Sequence, residues 1–265
     1  MIKNKKVAPI KVKSGRLPYL HDSRTLKLKN YLSREDLAKI PSSYNWGKKI
    51  EPDKWGHLGN LKINNCTCAA AAHLIMNWTA NIGKIKRPTM KSVIQSYAEL
   101  TGYNPKTDGI GNPIEAIKAL KFWRKKGIAG HKIIAFAKLD FKDEKQLKQA
   151  IYLYGGCYIG MNLPESAEQQ YYDSKKWTVP RSGLTGAGTP GSWMGHAMII
   201  TGYNKNDLRA ITWGKEMIMT IAFWKAYVDE SYTIFSGDFI KDDKTPTNIS
   251  EEILMREIME LKKND

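Results

Sequence analysis

Apolar residues in the first half of the chain recur at helical spacing. The segment 67–82 has no Pro or Gly, and its alanine-rich run predicts a buried or half-buried helix. A second helix is predicted within "TMKSVIQSYAELTGY", with Thr89 as N-cap and Gly102 as its stop. A third is predicted within "NPIEAIKALKFWRKKG", beginning at Asn112–Pro113 and ending at Gly127. The region from about 40 to 130 therefore reads as helical.

The second half of the chain has the shorter, continuous apolar runs typical of strands. Strands are predicted in "HKIIAFAKLD", "CYIGMNLP", "HAMIITGYN" and "DLRAITWG", with a helix in "DEKQLKQAIYLYG" after the first of them. The run "EMIMTIAFWKAYV" predicts a strand that gives way to a helix. Helices followed mostly by strands indicate an α+β protein with two lobes.

The two ends of the chain differ from this central region. Residues 1–39 are basic and interrupted by Pro, so we predict an N-terminal extension. A compact domain then covers 40–240, with a helical lobe to about residue 130 and a β lobe from 131. The tail 241–265 contains "SEEILMREIMELKKND", which predicts an amphipathic helix capped by Ser250.

Charge adds a candidate partner to this picture. The formal net charge is +16, and "MIKNKKVAPIKVKSGR" carries basic residues without acidic ones. Such an arm is either a solvated basic segment or a site for a polyanion such as nucleic acid. No apolar run has the length of a signal peptide or a membrane span, which predicts a cytoplasmic or particle-associated protein.

The stretch "INNCTCAAAAH" is the first candidate for chemistry. Its two cysteines have C-x-C spacing without a second doublet, which fits neither a zinc site nor a C-x-x-C redox pair. We therefore predict neither a metal site nor a cofactor, and the three cysteines cannot form a closed disulfide framework. Cys68, Cys157 and His73 are interpreted as core residues.

Cys66 differs from the other two cysteines because it opens the first predicted helix. The free N–H groups and dipole of a helix N-terminus lower the pKa of a thiol and can hold an oxyanion. A cysteine nucleophile also needs a base. His196 is the candidate, because it stands at the start of an apolar strand after a Gly-rich loop, 130 residues beyond Cys66.

The ordered set of segments resembles the papain family of cysteine peptidases. "IPSSYNW" resembles the mature N-terminus of those enzymes, and "NNCTCAAAAH" the cysteine-bearing start of their central helix. "YGGCYIGMNL", "GHAMIITGY" and "ITWG" resemble their later strands, and the five segments cover about 40–235. The Cys–His spacing agrees with that of papain-like enzymes. The resemblance implies the α+β two-lobe fold, with a cleft between a helical and an antiparallel β lobe.

The resemblance also assigns roles. Cys66 matches the nucleophile, His196 the base, and Asn60 the position of the oxyanion-hole glutamine, with a shorter amide arm. Ile211 stands where the family has its histidine-orienting asparagine and cannot hydrogen-bond an imidazole. Thr212, a backbone carbonyl, Asn204 or Asp207 would have to replace that asparagine, and among the side chains we place Thr212 in the catalytic set.

The family resemblance further implies a substrate cleft. Trp213 matches the indole that shields the base, and the Gly-rich segment 183–195 would form part of the rim, with Trp193 and Gly195 lining the cleft. The first forty residues are shorter than the family's inhibitory propeptide, so we expect no conventional zymogen control.

The resemblance implies a cysteine hydrolase that cleaves peptide or isopeptide bonds in a peptide or protein substrate. Two alternatives stay open on the sequence. The missing asparagine and the net charge of +16 fit a weak or inactive papain-like module that serves as a structural or nucleic-acid-binding protein, for example in a phage or virion. Acyl transfer or amidase chemistry on the same residues is the other.

Overall fold

The computed structural model describes residues 12–28 and 40–263. Most of the basic arm lies outside these residues. Within them the helices are α1 (Cys66–Asn81), α2 (Met90–Thr101), α3 (Ala116–Lys125), α4 (Glu144–Tyr154), α5 (Glu165–Tyr172), α6 (Ile221–Tyr227) and α7 (Glu251–Lys263). The strands are β1 (Tyr44–Asn45), β2 (Ala135–Lys138), β3 (Cys157–Leu163), β4 (Met194–Tyr203), β5 (Asp207–Thr212), β6 (Lys215–Thr220) and β7 (Val228–Phe235).

The strands form one antiparallel sheet of the order β2-β7-β3-β4-β5-β6, and the short β1 pairs with β4. The helices α1, α2 and α3 make up the other lobe. The α+β two-lobe architecture predicted from the sequence is therefore confirmed. The domain boundaries at residues 40 and 240 stay predictions.

Helix α1 of the helical lobe is buried and packs against the sheet of the other lobe. All residues from Cys66 to Thr79 are buried, and the helix packs on β4 of the sheet. The four consecutive alanines allow this close approach, because a helix surrounded by protein on all sides has no room for larger side chains at every position. This packing fixes the start of α1 against the middle of the sheet.

Both ends of α2 follow the local signals, whereas the start of α3 departs from them. The Thr89 side chain accepts a hydrogen bond from Ser92 N, and Gly102 ends α2 with a φ of 76°. Helix α3 begins at Ala116 rather than at the predicted Asn112–Pro113. Ile114 is paired with the N-terminal segment instead, and Glu115 after it is still extended.

Three elements were not predicted. They are the short strand β1, helix α5, and β7, which lies between β2 and β3 in the sheet. The N-terminal residues 12–28 pack on the domain, with Val12, Leu26 and Leu28 buried. No helix among the described residues is long and apolar enough to cross a membrane.

Candidate active site

Cys66 lies at the first residue of α1, as the sequence predicted. The preceding turn contains Leu58 and Gly59 in the left-handed region, with φ of 51° and 94°. This turn folds the chain back, so that Asn60 is buried beside the helix start and its Nδ2 donates to Ile63 O over 3.3 Å. An amide donor therefore lies near the cysteine, close to the free N–H groups of the first helical turn.

β4 carries His196 next to a residue that contacts the thiol. The next residue along the strand, Ala197, directs its backbone N–H at the Cys66 sulfur. His196 Nε2 lies 2.6 Å from Thr212 Oγ1, and its Nδ1 has no hydrogen-bond partner among the described residues. The ring is thus held by one nitrogen, and the other nitrogen is unpaired and buried.

Trp213 covers the imidazole. The two rings stack with centroids 4.1 Å apart and an interplanar angle of 20°. Trp213 and Gly214 form the turn between β5 and β6, with φ of 46° and 82°. Two successive positive φ angles are typical of a two-residue type I′ hairpin. The turn therefore aims the indole at His196, and Trp193 packs on it with centroids 5.5 Å apart.

The N-terminal segment 12–17 lies across these residues. Gly15 N donates to the Cys66 sulfur over 3.1 Å. Lys13 O accepts from Asn60 Nδ2 over 3.3 Å and from Trp213 Nε1 over 2.8 Å. The Lys13 carbonyl of the chain itself thus binds the amide donor of the site, and the Gly15 N–H binds the thiol.

Both lobes hold this segment in place. On the helical side, Ile114 N donates to Gly15 O over 2.8 Å, and Leu17 N donates to Ile114 O over 2.9 Å. On the other side, Arg16 O packs on Gly195, where a Cβ would lie 2.6 Å from that oxygen. The fit at Gly15 is closest, because a Cβ there would lie 1.7 Å from Asn64 O. At position 15, where the segment contacts the loop before α1, only glycine fits.

The covered site is electrically neutral at the thiol and the imidazole. Burial raises the pKa of Cys66, against the lowering effect of the Ala197 and Gly15 N–H groups and of Arg16. Burial lowers the pKa of His196 to about 3, and the nearby Arg16 charge acts in the same direction. The sequence-based expectation of a lowered thiol pKa is therefore wrong for this covered state, because loss of water outweighs the hydrogen bonds and the Arg16 charge that favour the thiolate.

The remaining candidates from the sequence take up structural positions. His73 is buried, with Nε2 2.9 Å from Gly56 O, and burial lowers its pKa to about 4. Burial raises the pKa of Cys68 to about 12 and also raises that of Cys157. Asn204 binds backbone N–H groups in the β4–β5 turn, and Asp207 pairs with Lys176, so neither orients His196.

The covering segment is the part of the site that sequence reasoning missed. The expectation of no zymogen control rested on the short length of the extension, but a few residues are enough to occupy the thiol and the amide donor. The available signal was weak. It consisted of one glycine among basic residues in "KVKSGR".

Comparison with known proteins shows which solved structures share the fold. No protein-family model matches the chain, and no curated protein matches its sequence. Among solved structures, it is similar to xylellain, a cysteine protease from Xylella fastidiosa, with a TM-score of 0.64, 14% identity, and coverage of 85% of this chain and 97% of that one. The chain thus has the fold of the papain-like cysteine proteases.

Two further structures have the same fold. The cysteine protease and lectin-like domains of Cwp84 from Clostridium difficile match with a TM-score of 0.56 and 12% identity, over 84% of this chain and 56% of that one. The Carica candamarcensis cysteine protease CMS1MS2, in complex with E-64, matches with a TM-score of 0.51 and 14% identity, over 74% and 99%. At these identities the likeness establishes the fold alone.

Proposed function

We propose that the protein is a cysteine peptidase whose own N-terminal segment occupies its cleft in the state described. The observation that carries this proposal is the position of His196. One ring nitrogen is fixed by Thr212, the other is unpaired, and the following residue contacts the Cys66 thiol. A buried unpaired nitrogen costs stability, so its retention beside a thiol at a helix N-terminus favours a catalytic role.

The arrangement supports the following reaction once the segment leaves. A neutral ring that donates Nε2–H to Thr212 keeps the Nδ1 lone pair free to accept the Cys66 proton. The thiolate then attacks the substrate carbonyl carbon, and the oxyanion is held by Asn60 Nδ2 and the Cys66 N–H. The imidazolium passes its proton to the leaving amine, and an acyl-enzyme remains. Water, deprotonated by His196, hydrolyses the thioester and restores the thiol.

In this proposal Thr212 takes the orienting role that an asparagine has in the papain family. A threonine hydroxyl can accept from Nε2–H, which fixes the tautomer and the plane of the ring. Trp213 keeps water from that hydrogen bond by stacking on the imidazole. The substrate is a peptide or protein, and both peptide and isopeptide bonds have the carbonyl and amine that this reaction needs.

The test is hydrolysis of fluorescein-labelled casein by the full chain and by its Gly15→Ala variant, in which a clash with Asn64 weakens docking of the segment. Activity should disappear in Cys66→Ala and fall by about 1000-fold or more in His196→Ala. Cys157→Ala is the matched control, because this cysteine is buried away from the site and its loss should leave the turnover unchanged. If Gly15→Ala hydrolyses no protein, and Cys66 in it reacts with iodoacetamide no faster than a free thiol, the rival hypothesis of a structural or nucleic-acid-binding module takes its place.

A further inference from the structure

Arg16 is an arginine without exposed side-chain surface in a segment that lies across the cleft. Its Nη1 donates to Glu230 Oε1 over 2.7 Å, and its Nη2 donates to Asp229 Oδ2 and to Asn162 Oδ1, each over 2.9 Å. We call the three accepting residues, Asn162, Asp229 and Glu230, the acidic subsite. Arginine is rarely buried without such partners, so the acidic subsite is a built guanidinium site.

The sheet has an irregularity that creates this subsite. Successive residues of a regular strand point to opposite faces, so Asp229 and Glu230 would not normally reach one ligand. The pairing of β7 with β3 shifts between Gly160 and Met161, which are opposite Glu230 and Val228. Asp229 is left unpaired as a bulge residue, and bulges redirect side chains in this way.

Space for the arginine side chain comes from the same place. A Cβ on Gly160 would lie 2.7 Å from Glu230 Oε1 and 2.9 Å from Arg16 Cδ. The absence of a side chain at Gly160 therefore opens the channel that holds the arginine stem. The subsite is closed at its far end by Tyr232, whose hydroxyl donates to Glu230 Oε2 over 2.8 Å.

Charge and geometry favour a guanidinium over other groups. Two carboxyl groups face one cation, and without that cation both would be left uncompensated. Three acceptor oxygens on two neighbouring nitrogens match the planar fork of arginine, whereas an ammonium is a compact point charge. Burial raises the pKa of Glu230 although Arg16 lowers it, so the carboxylate depends on its cation partner.

The acidic subsite adjoins the proposed reaction centre, because Arg16 follows directly after Gly15, whose N–H binds the Cys66 sulfur. We propose that the acidic subsite is the main specificity pocket of the cleft, that it takes an arginine of the peptide substrate close to the cleaved bond, and that Arg16 fills it in the covered state. This inference rests on the proposed function. In this inference Arg16 competes with the arginine of the substrate for the same subsite.

A binding experiment tests the subsite without any turnover. Arg16→Ala in the full chain leaves Asp229 and Glu230 without their cation, and its melting temperature should be lower than that of the wild type. Agmatine, which carries a free guanidinium, should raise the melting temperature of Arg16→Ala by about 3 °C or more at saturation, whereas putrescine, which lacks the guanidinium, should not. The double variant Arg16→Ala, Glu230→Gln removes the more deeply buried of the two unpaired acids, should be more stable than Arg16→Ala alone, and should lose the agmatine response.

Arg24→Ala is the matched control, because Arg24 lies in the same N-terminal stretch, residues 12–28, and is paired with Asp22, but is exposed. It should show neither the loss of stability nor the agmatine response. If agmatine stabilises Arg16→Ala no more than putrescine does, or stabilises the double variant equally, the acidic subsite is not a guanidinium site.

A peptide experiment tests the specificity. A library with arginine, lysine or norleucine at each position around the cleaved bond is offered to the Gly15→Ala variant, with and without Glu230→Gln. One position should prefer arginine over norleucine by about 30-fold or more in kcat/KM, and Glu230→Gln should remove that preference while leaving other positions unchanged. Hydrolysis without an arginine preference overturns the subsite and leaves the peptidase standing. An agmatine response without any hydrolysis overturns the peptidase and leaves a guanidinium-binding site.

Discussion

Replacing Gly15 with alanine should uncover the candidate nucleophile without altering any residue of the proposed catalytic set. The added methyl would lie 1.7 Å from Asn64 O and 2.2 Å from Asn64 C. Both are backbone atoms of the loop that leads into α1, so they cannot rotate away as a side chain could. The segment would have to move by at least about 1.3 Å to reach the shortest contact that a real Cβ makes.

A shift of that size breaks the hydrogen bonds nearest to Gly15. These are Gly15 N to the Cys66 sulfur, Ile114 N to Gly15 O, and Leu17 N to Ile114 O. At about 1 kcal/mol each, their loss costs about 3 kcal/mol of docking free energy. Since 1.4 kcal/mol is tenfold in an equilibrium constant, the ratio of docked to undocked segment should fall by about 100-fold.

The assay is the rate of Cys66 alkylation by iodoacetamide at neutral pH, followed by mass spectrometry of the cysteine peptides. Cys68 and Cys157 are fully buried and serve as internal references for unfolding. Alkylation should become faster at Cys66 by about 100-fold, in proportion to the undocked population. Gly237→Ala is the matched control, since a Cβ there meets nothing within 4 Å. Equal Cys66 rates in wild type and Gly15→Ala would refute the conclusion that the segment protects the thiol.

Three further predictions concern the imidazole and the fold. Thr212→Val should lower kcat of the uncovered enzyme by about 10-fold to 100-fold with little change in KM, because an orienting hydrogen bond is lost, and Thr212→Ser should restore most of it. Trp213→Phe keeps an aromatic ring over His196 but removes the indole donor to Lys13 O, so alkylation of Cys66 in the otherwise wild-type chain should become about 5-fold faster. The free energy of unfolding should fall as pH decreases from about 6.5 towards 4. Histidines of the unfolded chain bind protons in this range, whereas burial lowers the pKa of His73 to about 4 and that of His196 to about 3, so both stay neutral in the folded protein. Melting temperatures from pH 7 to pH 4 check this, and His73→Gln should reduce the slope; a flat profile would contradict the buried neutral rings.

The regular elements were predictable because their signals are local. Thr89 and Gly102 bound α2 through a side-chain cap and a left-handed residue, and both can be read from the sequence. Strand β7 was missed because "VDESYTIF" has acids as its second and third residues, which a hydrophobic pattern assigns to solvent. Both acids belong to the acidic subsite and accept hydrogen bonds from Arg16. A hydrophobic pattern cannot distinguish such buried acids from acids that face solvent.

The position of the orienting residue shows a different limit of sequence reasoning. Matching to the papain family placed Ile211 at the site of the asparagine. In β5, Ile211 is opposite Ile199 of β4, and the next residue along the strand points to the other face. Thr212 is that residue, and its hydroxyl lies 2.6 Å from His196 Nε2. The sequence left four groups as candidates for orienting His196. The folded structure selects Thr212 among them, because Asn204 and Asp207 have other partners.

The covered and uncovered states differ in chemistry as well as in access. In the covered state burial raises the thiol pKa and lowers the imidazole pKa, so both groups are neutral and the thiol is a poor nucleophile. When residues 13–16 leave, the Gly15 N–H no longer binds the thiol, the Lys13 carbonyl no longer binds Asn60, and water enters the site. Desolvation, the largest cause of both shifts, then weakens, and the N-terminus of α1 can stabilise the thiolate. A competing arginine that displaces Arg16 would therefore also convert the thiol into its reactive form, so substrate binding and activation would be one event.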